Sequence, residues 1–432
     1  MENEKVLKPY AITAGELAAL GPEQIPEALI SAKNLIYSSP ATLAFNSPGA
    51  QGFGVKRAGL AIPGSVMLLV APGCCGRNTA ALNALGYRER FFYLLMDDTD
   101  IVTGRHLRKI SGAVKEIVDG LEVKPSVVMI CITCVDALLG TDMERVCRKA
   151  EKEAGVPVRP CYMYALTREG RMPPMVHVRR TLYSLLEKRK RRPSQVNLLG
   201  EFAPYMDSTE LYPLLRSVGV KRIMELSRCG DYAAYQSMAE ANFNLLLNPE
   251  ARPAADELHK RLDMPYLELT RCYQIDKIRR QYELLGGAIG VYFEDQVYYD
   301  RAQAAVKAFN EKHPDTCFVI GEWINANPFE LALALLRYGH RVAEVYATVT
   351  AEQFVYIRKI AQLSPGTRIY SNLSPTMLHY DSGQAAADIS LGQDAGYYHP
   401  DGINIPWNDE NKPFGYDGLT KLFERMLAAM EE

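Results

Sequence analysis

Apolar runs rich in β-branched residues alternate along the chain with stretches whose apolar positions recur three and four apart. This is the rhythm of βαβ units, in which a parallel sheet is covered on both faces. SVMLLVAPG at 65–73, SVVMICITC at 126–134 and PVRPCYMYA at 157–165 predict three strands. Between them, HLRKISGAVKEIVDGL and MERVCRKAEKEAG predict amphipathic helices, and VRRTLYSLLEKRKRRP a helix that closes the first unit. A second unit opens with QVNLLGEF and continues through KRIMELSR, a helix over DYAAYQSMAEA, and the strands NFNLLLN and PYLEL. A third opens at TCFVIGEW, 316–323, followed by a helix over PFELALALLRYG, the strand HRVAEVYAT and elements around TRIYSNL and AADISLG. The expected class is α/β, with three Rossmann-like domains whose parallel sheets are flanked by helices. The expected divisions are an N-terminal arm 1–55, a first domain 56–192, a second 193–300, and a third with a C-terminal helix 301–432.

With 432 residues, 48% of them apolar, the chain has room for roughly three cores. The 49 basic and 51 acidic side chains nearly balance, so no overall field marks nucleic acid or an anionic membrane as partner. The basic run from Lys188 to Arg192 reads as a solvated helix end, with Pro193 as its stop. MENEKVLKPYAIT lacks the features of a secretory signal, and no apolar run approaches the ~18 residues of a membrane span, so a cytoplasmic location is expected. Neither GxxxxGK[ST] nor GxGxxG occurs in strand–turn–helix context, so the chain itself is not expected to hydrolyse ATP or bind a dinucleotide.

Nine cysteines without a secretory signal direct attention to metal or redox chemistry rather than disulfides. Cys147, Cys161, Cys229, Cys272 and Cys317 are scattered singly and read as small buried hydrophobes. Cys74 and Cys75 follow the first strand and Cys131 and Cys134 close the second, where open α/β sheets bind ligands. Soft thiolates there suit an iron–sulfur cluster or zinc; a redox dithiol and buried structural cysteines have the same look.

The stretch PGSVMLLVAPGCCGRNTAALNALGYRERFFYLLMDDTDIVTGRHLRKI resembles the opening of nitrogenase component 1 subunits. In that family a Gly-Cys pair is followed by an acidic D-x-V-x-G-G segment; here Asp100-Ile101-Val102-Thr103-Gly104 stands in that place. ICITCVDALLGTDMERV resembles the family's T-C…IGDD element. Gly230-Asp231, AEANFNLLLN and RLDMPYLEL resemble its middle domain, and the ending FGYDGLTKLFERM its GYDG helix, so the likeness runs over roughly 55–430. It implies that Cys74 and Cys134 ligate a cluster shared between two subunits.

The chain departs from the family at identifiable positions. No cysteine lies between Cys75 and Cys131, so a [4Fe–4S] cluster bridging two subunits is expected in place of an eight-iron cluster. Cys75 and Cys131 are extra, either further ligands or packed neighbours. Asn248 stands where nitrogenases place the cysteine that ties their molybdenum–iron cofactor, and an amide is a poor ligand for it. His379 and His399 are the nearest counterparts of the cofactor histidine, and each reads as a surface or hydrogen-bonded core residue. His177 and Cys229 are cavity candidates for catalysis.

The resemblance implies a reductase. An ATP-dependent iron–sulfur protein delivers electrons through the shared cluster to a small-molecule substrate or cofactor precursor in an interdomain cavity. An identical or paralogous subunit completes the assembly. The alternatives are a scaffold on which a metallocluster is assembled, and a zinc or redox-dithiol protein of similar fold. The tyrosine-rich stretch TRCYQIDKIRRQYELLGGAIGVYFEDQVYYD reads as packing between domains, with a subunit-docking surface as the second reading.

Overall fold

The computed structural model describes the chain except residues 1–7, 31–38, 46–49, 74–86, 164–171 and 385. In chain order the strands are β1 (Ile12–Thr13), β2 (Val66–Ala71), β3 (Phe91–Leu95), β4 (Val128–Ile132), β5 (Val158–Tyr162), β6 (Arg192–Leu199) and β7 (Arg222–Glu225). They continue with β8 (Ala241–Leu246), β9 (Tyr266–Glu268), β10 (Cys317–Ile320), β11 (Arg341–Tyr346), β12 (Arg368–Tyr370), β13 (Ile389–Leu391) and β14 (Ile403–Ile405). They form three sheets, flanked by helices in the expected α/β manner.

The chain groups into two compact units, and each is described by itself. One consists of Gly49–Pro204 and Val220–Thr270. It holds two all-parallel sheets, in the orders β3-β2-β4-β5 and β7-β6-β8-β9. Every residue of β2 and β4 is buried, as parallel strands covered on both faces require. Because successive strand side chains alternate, β4 serves two cores. Val128, Ile130 and Ile132 meet Ile110 and Val114 of the helix His106–Gly120 and Ala150 of the helix Met143–Ala154. Met129 and Cys131 join Val178 and Leu182 of the helix Pro174–Ser184, together with Leu199 and Leu246 of the second sheet. That helix stops at Ser184, so the basic run lies beyond it, Lys188 to Arg191 in the connection to β6 and Arg192 opening that strand, not at a helix end as the sequence suggests.

The other unit comprises Met1–Pro48, Tyr205–Gly219 and Arg271–Glu432. Its six strands run β1-β12-β11-β10-β13-β14, parallel except at β1, where Ile12 pairs with Ile369 antiparallel. The last helix, Gly415–Glu431, starts on a buried carboxylate. Glu210 accepts from the amides of Tyr416 (2.7 Å) and Asp417 (3.0 Å) and from the hydroxyl of Tyr282 (2.6 Å). These amides are among the otherwise unpaired donors of a helix start. Burial pushes the Glu210 carboxyl up, against those hydrogen bonds. Position 415 needs glycine: its φ is +62°, and a Cβ there would lie 1.7 Å from Oε1 of Glu210. Several aromatics of the tyrosine-rich stretch pack inside this unit, with Tyr273 donating to the carbonyl of Asn325 at 2.6 Å. No described helix is long and apolar enough to cross a membrane.

Candidate functional site

The carboxyl end of β4 carries the second cysteine element. Thr133 is extended and buried, and Cys134 opens the five-residue helix Cys134–Leu138. The thiol-bearing residue is partly exposed there. Two residues on, Asp136 is buried and accepts from Thr141 Oγ1 at 3.2 Å through Oδ1. The same oxygen lies 2.9 Å from Nε2 of His106, and Nδ1 of that ring lies 3.1 Å from the carbonyl of Asp100. Each ring nitrogen of His106 thus faces an oxygen acceptor, a carbonyl on one side and a carboxylate on the other. Oδ2 of Asp136 and the hydroxyl of Thr133 are buried without a hydrogen-bond partner among the described residues.

The acidic segment ahead of His106 is a capped turn. Asp97 accepts from the amide of Asp100 at 2.7 Å and caps the helix Asp98–Thr103. The Asp100 carboxylate takes Nζ of Lys109 and Nε of Arg105, each at 2.7 Å. These hydrogen bonds, Lys109 first, hold its carboxyl well below the usual carboxylate range. The acidic segment and the cysteine element are thus joined by Asp100, His106 and Asp136.

Cys131 and Cys134 are separated by the alternation of the strand end. Cys131 is fully buried and paired in register with Cys161 of β5, in the core between the two sheets. Burial, with Cys131 beside it, pushes the Cys161 thiol up. Cys74 and Cys75 lie outside the described residues. Among the described residues, no three histidine, cysteine or acidic side chains are placed to hold a metal ion. The thiol chemistry that does fit a cluster is the partly exposed Cys134 at the strand end. One accessible thiol suits a site completed by other ligands.

The other candidates stand at different sheets, His177 against Tyr162 at the end of β5 in the first and Cys229 just past β7 in the second. His177, on the helix Pro174–Ser184, shares a hydrogen bond with Thr181 (Nδ1 to Oγ1, 3.2 Å) and packs edge-on to Tyr162 at 4.3 Å between centroids. Burial, and then the charge of Arg180, pushes its imidazole down to about 4. Cys229 donates to the carbonyl of Glu225 at 3.3 Å, and burial pushes its thiol up to about 11. Among the described residues no hydrogen bond or ring contact joins His177 to Cys229. Neither is thereby prepared for acid–base or thiolate chemistry near neutral pH.

Asn248 follows β8, and its side chain accepts from the amide of Glu250 at 3.0 Å. It abuts Gly200 at the end of β6, where φ is +123° and a Cβ would lie 2.6 Å from that of Asn248. Arg179, buried on the same helix as His177, donates to the Gly200 carbonyl at 2.7 Å and to Glu250 at 2.5 Å. Nothing in the hydrophobic pattern marked this arginine, whose guanidinium also lies 4.6 Å from the Phe202 ring.

In the six-stranded unit, His379 is exposed. His399 is a hydrogen-bonded core residue, with Nε2 at 2.8 Å from the Tyr380 hydroxyl, 3.0 Å from that of Tyr346 and 3.2 Å from Glu344. Cys147, Cys161, Cys272 and Cys317 are buried, in keeping with their reading as small hydrophobes, while Cys229 is only partly so.

A family profile described as "Nitrogenase component 1 type Oxidoreductase" matches residues 50–431. A nitrogenase iron-molybdenum cofactor biosynthesis protein NifE of Sinorhizobium fredii is 24% identical over 392 residues, covering 84% of this chain and 77% of that protein. The Klebsiella pneumoniae protein of the same name is 29% identical over 223 residues, 45% of this chain and 46% of its own. A nitrogenase molybdenum-iron protein alpha chain of Methanosarcina barkeri is 28% identical over 156 residues, 35% of this chain and 29% of its own. The match thus spans less than half of the latter two. A solved structure, "Nitrogenase Cp1 at pH 6.5", has the same fold at a TM-score of 0.69, with 14% identity over 94% of this chain and 95% of that one.

Proposed function

Given that the chain belongs to the nitrogenase component 1 type oxidoreductases, we propose that it is a subunit of a metallocluster-handling complex. In this reading Cys74 and Cys134 hold a [4Fe–4S] cluster shared with an identical or paralogous subunit. The observation that carries it is the partly exposed Cys134 at the carboxyl end of β4, with Cys131 turned into the apolar core. When bound, such a cluster supplies one-electron storage at a potential set by hydrogen bonds and burial. Of the chain's own residues, Cys134 binds, and His106 holds Asp136 and with it the short helix on which Cys134 sits.

The role we assign is the assembly of a metallocluster. The Sinorhizobium and Klebsiella relatives named for cofactor biosynthesis support it, as does an amide at Asn248, which binds a soft metal cofactor poorly. The second reading is a reductase fed by an ATP-dependent iron–sulfur protein, favoured by the match to a nitrogenase molybdenum-iron protein alpha chain.

The test is iron and acid-labile sulfide per chain on protein purified without oxygen, with an electron paramagnetic resonance spectrum after reduction. About two irons per chain in a dimer is the expected result for one bridging [4Fe–4S] cluster. Stoichiometric zinc in place of iron would overturn it. ATP-dependent turnover with an electron donor separates reductase from scaffold, which instead passes a cluster to an acceptor protein.

A further inference from the structure

The basic run past Ser184 is a fixed loop. Arg261 donates to the Leu186 carbonyl at 2.6 Å, Gln236 accepts from the Glu187 amide at 3.2 Å, and Arg191 donates to the carbonyls of Asn242 (2.8 Å) and Leu262 (3.4 Å). Held this way, Arg189, Lys190, Arg191 and Arg192 line a cavity of about 610 Å³ at the amino end of β6. Its one carboxylate is Glu240, just before β8.

Three arginines converge on that carboxylate: Arg192 at 2.5 Å, Arg189 at 3.7 Å and Arg222 at 3.8 Å. Their side chains remain 56%, 40% and 39% exposed, while that of Glu240 is 13% exposed. One acid therefore serves three guanidinium groups that still present donors to solvent. Arg191 bonds neutral carbonyls, and Lys190 makes no ion pair among the described residues. In a chain of formal net charge −2, four lining cations beside one acid are a local excess of positive charge. The depression is open to solvent and lined mainly by cations, and the guanidinium fork matches oxyanions in pairs of hydrogen bonds.

We propose that this cleft binds a small, multiply charged oxyanion. The site is separate from the cysteine element and does not depend on the cluster. The experiment is calorimetric titration of the full chain at low ionic strength with inorganic pyrophosphate, and separately with citrate, to tell phosphate from carboxylate. Saturable binding of one ion per chain is expected. The double substitution Arg189→Glu, Lys190→Glu weakens it by roughly tenfold or more. Lys190→Ala, which removes no ion pair, weakens it several-fold in a protein of unchanged Tm. Glu240→Gln tightens it, because the competing acid is gone. No saturable binding of either ion, or binding indifferent to both lysine variants, would overturn the proposal. So would binding of a polyglutamate peptide alone, which would make the cleft a protein-docking surface.

Discussion

Nε2 of His106 and Oδ1 of Asp136 are 2.9 Å apart, both side chains fully buried, and they join the first turn of one helix to the short helix that begins with Cys134. Removing one member of a buried pair leaves the other uncompensated, at about 3–5 kcal/mol. His106→Ala is therefore expected to lose stability on that scale in denaturant titration. A loss below about 1 kcal/mol would show that the pair does not hold this edge together.

Cys131 and Cys134 are expected to part company on substitution. Cys134→Ser removes iron while changing stability by only about 0.5 kcal/mol, as partly exposed positions do. Cys131→Ala keeps iron and costs about 1–2 kcal/mol, through a small cavity in the shared core. Iron content and denaturation midpoint, measured on both, decide it; iron retained in Cys134→Ser refutes the ligand assignment.

Gly200→Ala combines a left-handed backbone position with overlap onto the backbone and Cβ of Asn248. A loss of about 3 kcal/mol is expected, readable as a drop in Tm. Asn248→Ala, which deletes only the hydrogen bond to the Glu250 amide, is expected to cost about 1 kcal/mol.

The pH behaviour of His177 follows from its depressed value of about 4. Folding disfavours the charged ring, so its contribution to stability is complete above the unfolded value near 6.5 and falls away as pH drops toward about 4. In NMR spectra the His177 ring is expected to stay neutral down to about pH 5. A midpoint near 6.5 would show the ring to be open to water.

The sheets were legible because parallel strands buried on both faces read as unbroken apolar runs, VMLLVA and VMICI among them. β3, FFYLL, carries no such signal because it is a half-exposed edge strand of only five residues, set between the charged segment Arg88–Arg90 and the pair Asp97 and Asp98, and without alternation of apolar and polar positions. The cysteine at the end of β4 was marked by spacing and resemblance. The His106–Asp136 pair was not, since a buried contact across thirty residues leaves no periodicity. The basic run is solvated, as expected, but KRKRR after a helical pattern suggests a helix end where the helix has already stopped at Ser184. What fixes it is a set of backbone carbonyls and amides that sequence does not display.

The capping of the last helix by Glu210 sets an order on the ribosome. The unit built from Gly49–Pro204 and Val220–Thr270 has all its residues once position 270 is translated, and domains fold as units during synthesis. The other unit must wait. β1 has no edge to join until β12 emerges, and Glu210 has no helix to cap until Gly415–Glu431 is made. For some two hundred residues of elongation that carboxylate stays in water. A nascent chain stalled before the last helix therefore presents one finished body and one open one, the latter being what chaperones and proteases would meet.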